Sequence, residues 1–505
     1  MGAADQTRPS SLDETMETCI GDFSWPQFFQ SLLVSMAWIF DAQQTFISVF
    51  TDAVPSWHCT AAESICSPAL SSLCSIPRDS WAWDYLPAHT SIVSEWELQC
   101  ASIFITGIPT SAFFAGCLTG GLLFAALADS SLGRKNMLLL SCFIMSATSL
   151  LTAFSTNLWI YSMLRFICGV GRATVGTCSL VLASELVGKR WRGQVAILGF
   201  FCFTLGFLSL PSLAYMNMGC TWRNMYLLTS IPTLFYCLLV KLTVHESPRW
   251  LFIKGRREDA ISTLQSLTSR DYNNSVTIFE TLVVKEAAED GDGTYYSSMK
   301  MLFAEKRWAV RRVAAVMAVG FGIGITYYGM PLGLANLSFS LYLSVTLNAL
   351  AELPASLLTF LFIHKLRRKT SLLFFTLMSG GFSMLSVGVA AGGLIQMGLE
   401  MISFFFVCSS FNMILIYTLE LFPTCVRNSA ISMVREALVL GGVFSPLLVA
   451  AGRGLDNGAV TAGVFGLLIS LCGLFVAFLP ETRGGRLCDT LEEEENKHLT
   501  TNHPC

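Results

Sequence analysis

Leu421-Phe-Pro-Thr-Cys-Val-Arg427 and Pro480-Glu-Thr-Arg-Gly484 each follow a long apolar stretch and have near copies in the other half of the chain. With the preceding acid included, the first reads Glu420 to Arg427, and its counterpart is Glu185-Leu-Val-Gly-Lys-Arg-Trp-Arg192. Both place an acid at a helix end and an arginine seven residues on. Asp129-Ser-Ser-Leu-Gly133-Arg134-Lys135 has a weaker counterpart in His364-Lys-Leu-Arg367-Arg368-Lys369. Charged punctuation repeated at the ends of apolar segments describes a chain of two related halves.

Those segments dominate the composition. Of 505 residues, 53% are hydrophobic and only 13% charged, against roughly 25% charge in soluble domains. The chain is written for lipid. A net charge of -3 gives no reason to expect a nucleic-acid partner. Windows long enough for a hydrocarbon layer of about 30 Å fall at about 28–50, 98–128, 136–155, 158–182, 194–216, 223–244, 310–331, 334–362, 371–391, 395–419, 429–451 and 460–479. The expected fold is an all-α membrane protein with twelve transmembrane helices. Residues 1–27 contain no apolar core, so the first span is expected to remain in the protein as its insertion signal.

Basic residues set the orientation. Arg134, Lys135, Lys189, Arg190, Arg192, Arg249, Lys254, Lys306, Arg307, Lys365, Arg367 and Arg368 all fall on one side if there are twelve spans. In the 51–97 segment, Arg78 is the only basic residue. The positive-inside rule therefore places both termini in the cytosol and 51–97 outside or in a lumen. Cys59, Cys66, Cys74 and Cys100 lie in or beside that segment. Two disulfides and four free thiols are both open readings, and four cysteines allow three pairings. The longest cytosolic stretch, 245–309, sits near the midpoint and is expected to form short surface helices, for instance around 256–268 and 278–290. The expected units are 1–27, a bundle at 28–244, the 245–309 linker, a bundle at 310–480 and a tail at 481–505.

The repeated acids call for a role of their own. Asp129, Arg134, Glu185, Arg192, Arg367, Glu420 and Arg427 can pair across the ends of neighbouring helices and act as a latch between two states. If basic residues merely fixed topology, the acids would have no explanation.

Asp129 to Lys135, Glu185 to Gly193, His245-Glu-Ser-Pro-Arg-Trp-Leu251, Glu420 to Arg427 and Pro480 to Gly484 resemble the signature segments of the major facilitator superfamily. Within it they resemble the organic ion transporter family. The large cysteine-bearing loop and Phe40-Asp-Ala-Gln-Gln-Thr-Phe46 look like its plant branch, the organic cation/carnitine transporters. The resemblance implies two six-helix bundles rocking about a central cavity. Spans 1, 4, 7 and 10 would line that cavity, while spans 3, 6, 9 and 12 would mostly face lipid.

Charges inside spans mark candidate sites, because each costs at least about 2.5 kcal/mol at the bilayer centre. Asp41, with Gln44 nearby, can bind a proton or attract a cation; a structural pairing with Arg165 is the alternative. Of Arg165 and Arg172, one is expected to balance Asp41 and the other Glu185, with direct contact to an anionic substrate group as the alternative. Glu352 precedes Pro354 in span 8, where the resemblance implies cation handling. Trp38, Phe40, Phe46, Tyr327, Tyr328 and Tyr417 offer rings for an ammonium, or simply packing. The animal relatives carry Asp or Arg twelve residues after the arginine of the Pro-Thr-x-x-Arg segment, and this chain has Val439 there. Arg435 and Glu436 supply both signs one turn earlier.

The cysteines lack Cys-x-x-Cys spacing and no His pair or phosphate loop is present, so no enzyme, metal or cofactor is expected. The expected function is secondary or facilitated transport of a small organic cation or zwitterion, with protons as a coupling ion. A sugar or polyol carrier is the second reading, and a transport-silent membrane sensor the third. The protein is expected to work as a monomer among membrane lipids, in a plasma or vacuolar membrane.

Overall fold

The computed structural model describes residues 24–60, 73–84, 90–128, 132–188, 191–267, 307–334, 340–362, 365–389, 394–453 and 458–483. Among them, twelve helices are long and apolar enough to cross a membrane. Spans 1 to 6 are Trp25–Thr51, Ile103–Phe124, Arg134–Thr152, Leu158–Glu185, Arg192–Met216 and Trp222–Thr243. Spans 7 to 12 are Trp308–Gly333, Leu341–Phe362, Arg368–Val387, Leu394–Leu421, Ser429–Gly452 and Thr461–Phe478. The chain is an all-α membrane protein of two helix bundles, as its apolar windows require.

Two expected starts move. Span 2 begins at Ile103 rather than 98, because Glu97 takes a left-handed backbone (φ 53°) and Leu98–Cys100 forms a 3-10 turn. Span 8 begins at Leu341 rather than 334. Of the two helices expected in the linker, one appears at Arg257–Leu267, preceded by a short turn at Pro248–Ile253; the 278–290 segment lies outside the described residues.

Small residues let helices approach backbone to backbone. A methyl group on Gly169 of span 4 would lie 2.0 Å from the Phe113 carbonyl oxygen of span 2. In the second bundle, one on Gly324 of span 7 would lie 2.0 Å from the Leu438 carbonyl oxygen of span 11. Without a hydrophobic driving force between helices in lipid, such close packing supplies the association energy.

The segment after span 1 contains a two-stranded ribbon, β1 (Trp57–Cys59) and β2 (Trp81–Trp83), which the sequence reading did not anticipate. Three-residue strands are too short to leave an alternation signal. Trp81 and Trp83 bury themselves with Ile76 in a small separate core. Cys74 and Cys100 form a disulfide with Cα atoms 5.6 Å apart. Cys59 is also disulfide-bonded, while Cys66 lies outside the described residues. Glu95 clamps this loop to span 6 through an ion pair with Arg223 and a 2.7 Å hydrogen bond from Trp222 Nε1.

Candidate functional site

Span 1 contributes Asp41 and span 4 Arg172. Arg172 Nε donates to Asp41 Oδ1 at 2.6 Å and Nη2 to Oδ2 at 3.2 Å, a two-pronged pair almost closed to solvent. Of the two span-4 arginines, Arg172 is thus the one that balances Asp41, and the alternative partner Arg165 is not. Spans 1 and 4 run antiparallel, and two helical turns, about 10 Å, separate the two arginines. Only Arg172 lies at the depth of Asp41. Arg165 reaches Gln44 instead, donating to its backbone carbonyl at 3.3 and 3.2 Å, with its guanidinium 4.2 Å from the Phe113 ring centre. Glu185 takes neither of them; its neighbour is Arg134 at 3.8 Å.

Both ends of the Gln44 side-chain amide are engaged inside the first bundle. Its amide donates to Thr229 Oγ1 at 3.1 Å and its oxygen accepts from Ser149 Oγ at 3.0 Å. Trp38 packs between Phe200 and Phe203 of span 5, both with ring centres 5.9 Å away.

Across from Asp41 and Arg172, the second bundle presents Tyr328, Arg435 and Glu436. Arg435 lies within electrostatic reach of Arg172, Asp41, Tyr328 and Glu436, and Tyr328 lies within the same reach of Arg172. Glu436 leans over span 2, where a methyl group on Gly121 would lie 2.1 Å from its Oε1. Its Oε2 is buried and has no hydrogen-bond partner among the described residues.

Tyr327, next to Tyr328, points about 100° away around the same helix and serves a different acid. Its hydroxyl donates to Glu352 Oε1 at 2.7 Å. The ring is caged by Phe411 at 4.7 Å, Phe404 at 5.8 Å and, from the first bundle, Phe46 at 6.3 Å. Glu352 Oε2 is buried without a hydrogen-bond partner among the described residues. Two adjacent tyrosines of span 7 thus face the two acid sites. Tyr417 does not join this group: its hydroxyl bonds the Pro480 carbonyl at the opposite, basic end of span 10.

The end carrying the repeated motifs is held by pairs within each bundle. In the second, Arg368 grips Glu420 through Nε at 3.0 Å and Nη2 at 2.8 Å, while Thr482 Oγ1 donates to Glu420 at 2.8 Å. This replaces the expected Arg367, which stands in extended backbone just before the helix; neighbouring residues on a helix start point different ways, and Arg368 faces span 10. Arg427 turns back to the Phe422 carbonyl at 3.3 Å rather than to Glu420. Arg192 Nε is buried without a hydrogen-bond partner among the described residues, and Asp129 lies outside them.

Two acids of this end escaped the sequence reading. Glu246 accepts backbone N–H bonds from Arg134 at 3.1 Å and Lys135 at 3.0 Å, capping the start of span 3. Burial pushes its carboxyl above the ordinary range, against the pull of those bonds. Glu481 accepts from the Arg368 backbone N–H at 2.8 Å, doing the same for span 9. Both sit in the quoted His245-Glu-Ser-Pro and Pro480-Glu-Thr-Arg segments, so an acid beside a proline after an even-numbered span was the available signal.

At the other end, Asp52 was also overlooked. It accepts from Tyr161 at 2.8 Å, Thr51 at 2.8 Å and Thr110 at 3.1 Å, tying together spans 1, 2 and 4.

Comparisons with known proteins agree with this architecture. The family described as Sugar (and other) transporter matches residues 67–493. Organic cation/carnitine transporter 3 of Arabidopsis thaliana is 59% identical over 97% of this chain and 95% of that protein. Organic cation/carnitine transporter 2 of the same plant is 55% identical over 98% of this chain and 95% of its own length. Among solved structures, the inward-open xylose transporter XylE from E. coli aligns with a TM-score of 0.66 at 19% identity, covering 93% of this chain and 99% of that one. At that identity the last likeness speaks for the fold alone. Twelve spans in two bundles, the paired motifs and these full-length identities together place the chain in the major facilitator superfamily, in the plant branch of the organic cation/carnitine transporter family.

Proposed function

We propose that this protein is a secondary transporter that moves small organic cations or zwitterions, carnitine-like in charge, by alternating access coupled to protons. The observation that carries the reading is the mixed-sign array between the bundles. Asp41 and Arg172 lie on one side, Arg435 and Glu436 on the other, with the aromatic-walled Glu352 behind Tyr327. A ligand bearing an ammonium and a carboxylate finds a counterpart for each end. The plant relatives' names, organic cation/carnitine transporters, agree with it.

The proposed orientation puts the basic end and both termini in the cytosol, in a plasma or vacuolar membrane, with one chain as the working unit. Ring contacts between bundles gather toward the other end, where Phe50 stacks on Tyr342 at 5.8 Å. In this reading the arrangement is closed outside. Rocking would separate those rings and expose Asp41 and Glu352 to the far side.

The test is uptake of radiolabelled carnitine and tetraethylammonium into proteoliposomes, with and without an imposed proton gradient, for the wild type, Asp41→Asn and Glu352→Gln. Gradient-dependent uptake that collapses in the variants is the expected result. If folded protein carries neither compound, the substrate assignment fails, and sugars and polyols become the next panel, as the broad family description allows.

A further inference from the structure

Away from the central array, spans 7, 8 and 10 enclose a small cavity near the end opposite Arg368 and Glu420. Its walls include Met330, Ser344, Asn348, Met397, Glu400 and Met401. Glu400 is only 8% exposed and was not singled out from the sequence. Its sole hydrogen bond among the described residues comes from Gln396 Nε2 of its own helix, at 3.3 Å. Ser344 Oγ is buried without a partner there, and the buried Asn348 side chain makes no hydrogen bond to any described residue.

A hydroxyl and an amide without partners in an apolar wall, beside an acid held by one hydrogen bond, are costly to bury dry. A cavity with such a lining, too small for an organic solute, is suited to ordered water. The same polar lining continues inward. Ser344, Asn348 and Glu352 occupy positions i, i+4 and i+8 of span 8, all buried on one face. At about 1.5 Å per residue the stripe rises roughly 12 Å, and it ends at the partnerless Oε2 of Glu352. One acid therefore stands at each end of a polar path.

We propose that Glu400 is a proton-loading site that feeds Glu352 along this path. The inference rests on the reading of the chain as a proton-coupled carrier. A hydronium ion from the non-cytosolic side protonates the Glu400 carboxylate and leaves water. The acid then passes its proton through cavity water, past Ser344 and Asn348, to the Glu352 carboxylate, and Glu400 becomes a carboxylate again. Glu352 returns the proton to water once the cavity opens to the cytosol, so one proton enters and one leaves. Asp41 is poorly placed for this task because Arg172 engages both its oxygens. Facing Glu352 are Tyr327 from span 7 and Cys408 from span 10, while Glu400 faces Gln396 and no charged group among the described residues.

The experiment uses the full chain in proteoliposomes with two readouts. Infrared difference spectra between acid and neutral pH, taken without substrate, follow the protonated-carboxyl stretch in the wild type, Glu400→Gln, Glu352→Gln and Asn348→Leu. Accumulation of labelled tetraethylammonium is measured with a proton gradient, alongside exchange at equal pH. Glu400→Gln should lose one carboxyl signal and gradient-driven accumulation, yet still exchange substrate. Asn348→Leu keeps both acids and should uncouple accumulation in the same way. Unchanged infrared signals in Glu400→Gln, or full gradient-driven accumulation in either Glu400→Gln or Asn348→Leu, would overturn the proposal. If the wild type carries no tetraethylammonium, the infrared comparison still decides whether Glu400 titrates, separately from the substrate question.

Discussion

The two bundles treat their central acids in opposite ways. In the first, Asp41 is held by both prongs of Arg172, and the surrounding polar groups Gln44, Thr229 and Ser149 satisfy one another. In the second, Glu352 has a single tyrosine hydroxyl and a spare oxygen, and Glu436 likewise keeps an unpaired oxygen. A buried pair is costly to break from one side because the survivor is left as an uncompensated charge. A lone buried acid already bears that cost, and an arriving cation relieves it. The first bundle thus holds an internal ion pair, whereas the second leaves acid oxygens without a hydrogen-bond partner among the described residues.

The sharpest way to break this contrast is to strand Asp41. Arg172→Met should cost about 3–5 kcal/mol of stability, read as thermal unfolding in detergent, and should abolish uptake. Adding Asp41→Asn to it should restore much of the stability but not transport. A single variant as stable as the wild type would mean that the pair is not a structural unit. Next, Glu352→Gln should leave stability unchanged or raised while cation uptake is lost; destabilisation there would make Glu352 a packing residue after all.

Gly121→Ala tests the contact across the bundles, since a methyl group has no room beside Glu436 unless that side chain moves. The expected outcome is slower transport with substrate affinity little changed, checked by initial rates over a concentration series. A smaller effect is expected at the basic end. Arg368→Ala should cost about 1–3 kcal/mol by leaving Glu420 without its charged partner, whereas Arg367→Ala should stay within about 0.5 kcal/mol. Equal effects of the two would contradict the observed pairing of Glu420.

Much of the scaffold was legible because membrane physics writes it in plain composition. Apolar windows located all twelve spans to within a few residues, except where span 2 waits for the Glu97 turn and span 8 starts late. That Asp41 and Glu352 stand out as candidates could be read from the cost of charge in lipid. Their partners could not. Arg165 and Arg172 look equivalent on one helix face, and only the depth at which spans 1 and 4 cross distinguishes them. Arg367 and Arg368 differ by one position and hence by about 100° of rotation, which the sequence does not orient. Glu246, Glu481 and Glu400 were overlooked for a related reason: each gains its meaning from a neighbour more than a hundred residues away or from a cavity between three helices.

Local chemistry along the chain was enough to settle which segments cross the membrane, that the halves repeat and that charge is scarce inside, because lipid penalises each residue independently of its distant neighbours. Tertiary structure alone decided which acid is neutralised and which is left open. Pairing depends on helix depth and rotation, and these are set by backbone contacts such as Gly169 against Phe113 and Gly324 against Leu438, between residues far apart in sequence.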